Sequence, residues 1–336
     1  TKVLLGLAGY TPPTPPGERE LINIDIEIPC CRYLIIVLPA LGGLISGIIT
    51  YKWAPEAEGD GTDAVIGTFH WKRGIIEGRI PIIKAITSSI LIGSGGSAGR
   101  EGPISQIGGG IASALALKLG LTEREREILV VSGMAAGIGS IFKSPFGGSI
   151  FGIEVLYKRD YEVQALVPAV ISTFVAYIVF ASIVGWRPIF SVPEYSFSPY
   201  QLPFFAALGI IAGLVARFYI WSYGSINNTF RKLNIPKYLK PAIGGLFVGL
   251  IGFWLPQALE TGYGWIEVAI LGELTLEILI MVVVAKIFAT AFSVGSGGSG
   301  GLFAPSLVIG GFLGGVLGSI FKIIAPEMAG DVGVYI

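Results

Sequence analysis

"GSGGSAGREGP", residues 93–103, returns 202 residues later as "GSGGSGGLFAP", residues 295–305. Extended to "GSGGSAGREGPISQIGG" (93–109) and "GSGGSGGLFAPSLVIGG" (295–311), the two blocks agree at ten of seventeen positions. The offset of 202 also relates "PALGGLISG" (39–47) to "PAIGGLFVG" (241–249), and Lys84 to Lys286. "GDGT" (59–62) lines up with "GYGW" (262–265) at 203. One spacing shared by separate segments is the mark of duplication. The chain therefore reads as two copies of one unit.

The unit is a membrane unit. Of the 336 residues, 52% are apolar and only 14% charged, against about 25% charged in soluble chains, and the mean hydropathy is +0.73. Apolar runs at 33–53, 163–186, 203–222, 241–258, 274–294 and 303–325 approach or reach the roughly 20 residues of a spanning helix. Shorter runs at 82–92, 104–119, 128–142 and 146–157 are broken by Gly or Pro. They predict half-spanning or tilted helices whose ends line a cavity or are covered by protein. The expected fold class is an all-α integral membrane protein, a multi-pass inverted-repeat bundle in the lipid bilayer. Its divisions are an N-terminal loop region at 1–32, a first membrane repeat at 33–190 and a second at 203–336.

Charge placement sets the relative orientation of the copies. The loop before Pro39 carries Glu18, Glu20, Asp25 and Glu27 against Arg19 and Arg32, whereas the loop before Pro241 carries Arg231, Lys232, Lys237 and Lys240 without an acid. Equivalent loops of opposite sign belong on opposite sides of the membrane. By the positive-inside rule the 231–240 loop is cytoplasmic, as is the loop with Lys72, Arg73 and Arg79. The copies are expected to be inverted, with a site near the midplane where broken helices meet. Copy one continues through "SGMAAGIGSIFKSPFGGSIFGIEV" (132–155), and the counterpart of that stretch begins near 334, so some fifty or more residues of copy two are expected outside this sequence.

Several chemistries are excluded. Net charge is zero, with no hint of a nucleic-acid partner. Cys30 and Cys31 are adjacent and His70 is the sole histidine, which leaves no disulfide framework, CxxC site or histidine-rich metal site. No cofactor is expected. No secretory signal peptide is visible at Thr1, and "YTPPTPPGERE" (10–20) reads as a Pro-rich loop. A nucleotide P-loop needs a Gly-Lys pair that neither glycine block has, and a dinucleotide fingerprint needs a soluble βαβ setting.

An anion site remains. Glycine runs leave backbone N–H groups unshielded, and Pro103 and Pro305 suit the first turn of a helix. Each block then delivers a helix N-terminus, with its free donors and partial positive charge, into the membrane. Two such ends from inverted copies converge on one point, where an anion is held weakly enough for release. A charge at mid-bilayer costs about 2.5–3.5 kcal/mol on insertion scales, so Glu101 needs compensation. The same amides can hold its carboxylate, which makes Glu101 a tethered competitor that blocks when ionised and vacates when protonated or displaced. The plainer alternatives are a helix-capping Glu101, or one paired with Arg100 and Lys84.

"GREGP" (99–103), "GSGGSGGLFAP" (295–305) and "KSPFGGSIFGIEV" (143–155) together resemble the CLC chloride channels and chloride/proton antiporters, in a prokaryotic form, over nearly the whole chain. The resemblance implies chloride as the transported ion and a homodimer whose subunits each hold a pore, in the plasma membrane. By position, Glu101 matches the gating glutamate, and the amides of Arg100, Glu101, Gly102, Leu302, Phe303 and Ala304 match the anion-coordinating backbone. Where the family commonly has GSGIP, this chain has Gly59-Asp60-Gly61-Thr62-Asp63. Asp60 is therefore expected to cap its helix with the carboxylate turned aside, or the anion is held at Asp60 and Gly61 by backbone alone. At "GIEVLY" (152–157), Glu154 is followed by Val155 where proton-coupled members usually have a second glutamate. Glu154 is the candidate for a proton path and is otherwise a buried, paired carboxylate. The expected activity is channel-like chloride transport gated by Glu101, with a chloride/proton antiporter as the alternative. An intramembrane enzyme or scaffold that uses the glycines only for helix packing is the reading from another class.

Four further features complete the survey. Lys143 either draws anions toward a cytoplasmic mouth or satisfies helix-end carbonyls. His70 reads as a solvated loop histidine. "TEREREI" (122–128) reads as a soluble turn at a helix start. Trp71, Trp186 and Tyr157 suit membrane-interface anchoring.

Overall fold

A computed structural model describes residues 2–18 and 32–336. In chain order the helices are α1 (Lys2–Gly6), α2 (Leu34–Trp53), α3 (Thr62–Trp71), α4 (Arg79–Gly93), α5 (Glu101–Lys118), α6 (Glu123–Ile141), α7 (Pro145–Glu154), α8 (Leu166–Val184), α9 (Leu202–Lys232), α10 (Lys240–Trp254), α11 (Tyr263–Ile270), α12 (Leu276–Gly295), α13 (Phe303–Ile324) and α14 (Pro326–Ala329). Short 3₁₀ turns join several of them, and the described residues form no β-strand. Five segments, built on α2, α8, α9, α12 and α13, are long and apolar enough to cross a bilayer. By contrast α3, α7 and α11 have 10, 10 and 8 residues. At 1.5 Å per residue they cover about half of a hydrocarbon core or less.

Two boundaries differ from those read off the sequence. The run 203–222 continues to Lys232 as part of the 31-residue α9. Its polar end is held in place, because the Asn227 side-chain amide donates to the Gly295 carbonyl at 3.1 Å. At about 46 Å, α9 is long enough to cross the headgroup regions as well as the core. The run 241–258 stops at Trp254, because Pro256 favours an extended Leu255 (φ −135°, ψ 79°) and a 3₁₀ turn follows. The "TEREREI" reading holds: Thr122 caps α6 in a reciprocal capping box with Glu125. Hydrogen bonds from the Thr122 hydroxyl and amide hold the Glu125 carboxyl below the usual carboxylate range.

Inversion of the two copies is visible in how α2 packs on α10. A side chain at Gly43 would strike the backbone of Pro241, and one at Gly245 the backbone of Pro39. Gly47 sits likewise against Tyr238, and Gly249 against Ile36. Each contact maps onto its partner by the 202-residue offset. As numbers rise along α2, those of the contacted residues fall from the start of α10 into the 3₁₀ turn that precedes it. Equivalent helices therefore lie antiparallel about a pseudo-two-fold axis, and the small residues allow their backbones to meet. The axis passes between Gly99 and Gly301, which are themselves equivalent: each amide donates to the other's carbonyl at 2.7 Å.

The connections assign the two faces. At one end of the molecule Arg126 Nε donates to the Arg73 carbonyl (2.8 Å) and Arg124 pairs with Glu162 (2.6 Å), just before α8 begins. At the other end of α8, Lys143 Nζ donates to the carbonyls of Gly17, Gly185 and Arg187 at 2.7, 2.8 and 2.8 Å. The long α9 then returns the chain to the first face at Arg231 and Lys232. Thus 72–79 and 231–240 share one basic face. Lys143 lies toward the opposite face, where its ammonium satisfies three carbonyls and the residue also lines the central cavity. The acidic loop's Arg19, Glu20, Asp25 and Glu27, with Cys30 and Cys31, lie outside the described residues. His70 is also not in a loop: it ends α3, exposed, with Nε2 2.7 Å from the Leu156 carbonyl and its ring edge-on to Tyr157. Trp71 and Trp186 are exposed, as interface anchors are.

Candidate functional site

Both glycine blocks end in helix N-termini that meet at the axis. A residue with φ near +100° precedes each crossing, Gly95 in the first copy and Gly297 in the second, where glycine alone pays no steric penalty. After the Gly99–Gly301 pair, α5 begins at Glu101 and α13 at Phe303, with Pro103 and Pro305 in the first turns. No side chain fits at Gly99, because a β-carbon there would meet the Glu101 carboxylate and the Ala304 amide. The two helix ends therefore approach as closely as backbone allows.

The short helices complete the arrangement. Lys84, fully buried, reaches from α4 to the carbonyls of Ala57 (3.0 Å) and Gly59 (2.6 Å) in the loop before α3. Lys286, equally buried, reaches from α12 to Ala258, Leu259 and Glu260 at 3.2, 3.1 and 2.6 Å in the loop before α11. This symmetric clamp gives the Lys84–Lys286 correspondence of the sequence its physical reason. It fixes the α3 and α11 N-termini beside the other copy's glycine block.

Glu101 is only 2% exposed, and its carboxylate leaves its own helix to reach the other copy. The Tyr263 hydroxyl donates to Oε1 at 2.6 Å and the Ala304 amide to Oε2 at 3.3 Å, and its own amide is also within reach. The carboxylate is thus seated on the α13 N-terminus, where donors and helix dipole favour a negative charge. Of the plainer alternatives, capping describes it, with the other repeat's helix end as the partner, and a pair with Lys84 does not. Arg100 turns outward, pairs with Glu18 and lies over the Tyr263 ring at 5.5 Å, while Lys84 is engaged with carbonyls.

Asp60 departs from expectation. One oxygen caps as foreseen: the Thr62 amide donates to Oδ2 at 3.1 Å. The carboxylate is not turned aside, however, because the Leu302 amide donates to Oδ1 at 2.8 Å. The reason is proximity. Gly61 and Gly102 lack side chains where the two segments touch, and a β-carbon at Gly102 would meet the Asp60 carboxylate itself.

A cavity of about 980 Å³ opens beside these groups, lined among others by Asp60, Glu101, Gly102, Leu302, Phe303 and Tyr219. Arg100, Gly61 and Ala304 are not among its lining residues. Val155 lines the cavity, whereas Glu154 is exposed at the end of α7 and is neither buried nor paired as the sequence suggested. Sequence reasoning missed three groups. Tyr263 holds Glu101, Glu18 holds Arg100, and the Tyr219 hydroxyl donates to the Leu302 carbonyl at 3.2 Å. Of these only Tyr263 had a signal, the alignment of "GYGW" with "GDGT".

The chain matches the family described as "Voltage gated chloride channel" over residues 42–336. It is 30% identical over 307 residues to an uncharacterized protein of Methanocaldococcus jannaschii, covering 89% of this chain and 75% of that one. It is 29% identical over 332 residues to the H(+)/Cl(-) exchange transporter ClcA of Cronobacter sakazakii, covering 95% and 71%. In fold it is similar to a slow cyanobacterial Cl-/H+ antiporter, with a TM-score of 0.83 at 22% identity over 92% of this chain and 73% of the other. Duplicated glycine blocks, inverted packing and family match agree: the chain belongs to the CLC family of anion-transporting membrane proteins.

Proposed function

We propose that this chain exchanges chloride for protons across the plasma membrane, with Glu101 as the group that both gates the anion path and carries the proton. The observation that carries this reading is the seat of the Glu101 carboxylate on the Ala304 amide and the Tyr263 hydroxyl. A carboxylate that occupies an anion's donors competes with the anion. Protonation removes its charge and its claim on those donors, so proton uptake and anion entry are linked at one place. The amides of Arg100, Glu101, Gly102, Leu302, Phe303 and Ala304 are the backbone donors of the path, and Asp60 and Gly61 border it. The exchange transporter ClcA among the relatives supports coupling over simple conduction.

Channel-like conduction, the expectation from sequence, is the second reading. It is favoured by Val155, which lines the cavity where proton-coupled members usually carry a glutamate. The homodimer is part of the proposal: each subunit holds its own path, built from repeats at 33–190 and 203–336.

The test is the reversal potential of protein reconstituted in liposomes under crossed chloride and pH gradients. A value between the chloride and proton equilibrium potentials supports exchange. A Nernstian chloride value makes the protein a channel.

A further inference from the structure

The N-terminal turn of α13 carries three successive amides, those of Leu302, Phe303 and Ala304, and the first two belong to residues that line the cavity. Two of them are occupied by carboxylates of the chain itself. Glu101 takes Ala304 at 3.3 Å, and Asp60 takes Leu302 at 2.8 Å. Capping alone accounts for only one Asp60 oxygen, since the Thr62 amide of its own repeat satisfies Oδ2. Oδ1 crosses to the other repeat, 242 residues away in sequence.

The two carboxylates arrive from opposite sides. Glu101 stands with Tyr263, Arg100 and Glu18, toward the face that holds Lys143. Asp60 stands before α3, whose far end at Trp71 leads into the basic loop, cytoplasmic by the positive-inside rule.

We propose that Asp60 is a second tethered anion of the transport path, a carboxylate that holds the Leu302 amide until it takes up a proton and yields that amide to the passing anion. The inference rests on the reading that anions cross at these helix ends. One proton added to the carboxylate forms an O–H bond and removes one negative charge. The anion that takes the amide restores that charge, and when the anion leaves, the proton returns to solution and the carboxylate to its seat. The net charge at the helix end is the same before and after. Proton uptake on the inner side is thereby linked to anion entry by a residue of the first repeat, with no glutamate at position 155.

The groups that face Asp60 carry both signs. Lys84 of α4 is near enough to interact with both Asp60 and Glu58. Asp63 on α3 opposes it, and the hydroxyls of Tyr219 and Tyr223 come from α9. Glu101 of α5 shares the cavity, and the first turn of α13 brings only backbone donors and uncharged side chains. The acidic residues lining the cavity are Asp60, Asp63 and Glu101. Of the three, Asp63 has no seat on α13, which makes Asp63→Asn the control for loss of charge alone.

The experiment is bromide titration by calorimetry on purified wild type, Asp60→Asn, Asp60→Ser and Asp63→Asn, with chloride flux measured in liposomes alongside. At about pH 7.5, well above the carboxylate range, both Asp60 variants are expected to bind bromide about tenfold or more tighter than wild type, the scale of removing a like charge at contact distance. Asp63→Asn is expected to change affinity several-fold less. Wild-type affinity in both Asp60 variants overturns the proposal.

Should the Asp60 variants not fold, Glu101→Gln serves instead. With Glu101 neutral, bromide affinity is expected to rise several-fold between about pH 7.5 and about pH 3, below the ordinary aspartate range, and a flat profile overturns the proposal. Failure of the pathway reading looks different: wild type and Glu101→Gln then carry no chloride in liposomes, whatever their bromide affinity.

Discussion

Tyr263 is the residue on which the Glu101 seat most depends. Its 2.6 Å hydrogen bond goes to a carboxylate that is otherwise held by backbone amides, and a donor to an ionised acceptor favours the ionised form. Tyr263→Phe removes that donor with little change in volume. The neutral acid is then reached at a lower proton concentration, and chloride flux, which the proposed gating makes rise as pH falls, is expected to be half-maximal roughly one pH unit higher. Flux against pH in liposomes checks this, and an unshifted curve contradicts it.

Lys84 and Lys286 act on structure. Lys84→Met or Lys286→Met leaves two or three carbonyls without donors, and relief of the buried ammonium's desolvation offsets only part of that loss. Each is expected to destabilise by about 2 kcal/mol, measured as unfolding in detergent.

The sequence made Glu101 readable because a repeated glycine block predicts a repeated helix end. Asp60 was half readable. Its capping oxygen follows from local chemistry, but its contact with Leu302 depends on how closely Gly102 and Gly301 let the repeats approach.

At the scale of elements, the fold depends on paired small residues. Gly43 and Gly245 occupy equivalent places in the α2–α10 contact, each against backbone of the other helix. Val at either position must separate the helices, at a cost of about 1–3 kcal/mol. Because the pseudo-two-fold axis exchanges the two sites, the losses in Gly43→Val and Gly245→Val are expected to match. Markedly unequal losses would mean that the contact is not symmetric.

Helix existence was legible from apolar runs, since burial in lipid needs only length and hydropathy. The end of α9 was not. Its last ten residues include polar side chains that extend the helix beyond the apolar run, and Asn227 finds its acceptor on α12 rather than nearby in sequence. The surroundings of Glu154 and Lys143 were equally out of reach, because which face of the bundle a helix end meets is decided by connections more than forty residues away.

At the scale of the molecule, charge alone placed the two basic loops on one side. Lys72–Arg79 and Arg231–Lys240 share a face although α8 and α9 separate them in sequence, and the positive-inside rule makes that face cytoplasmic. Single cysteines placed at Arg73 and Lys232, in a background lacking Cys30 and Cys31, are expected to react with an impermeant thiol reagent from the same side. One at Trp186 is expected to react from the other. Labelling of 73 and 232 from opposite sides would undo the inverted arrangement.

Chloride efflux from liposomes containing Glu101→Gln shows whether the Glu101 carboxylate, seated on the Ala304 amide and the Tyr263 hydroxyl, holds the anion's place. If the ionised Glu101 carboxylate blocks the path, the neutral amide side chain leaves it open. Efflux should then be at least as fast as wild type at low pH and should no longer fall as pH rises. Efflux that keeps the wild-type rate and the wild-type pH dependence would mean that Glu101 does not hold the anion's place.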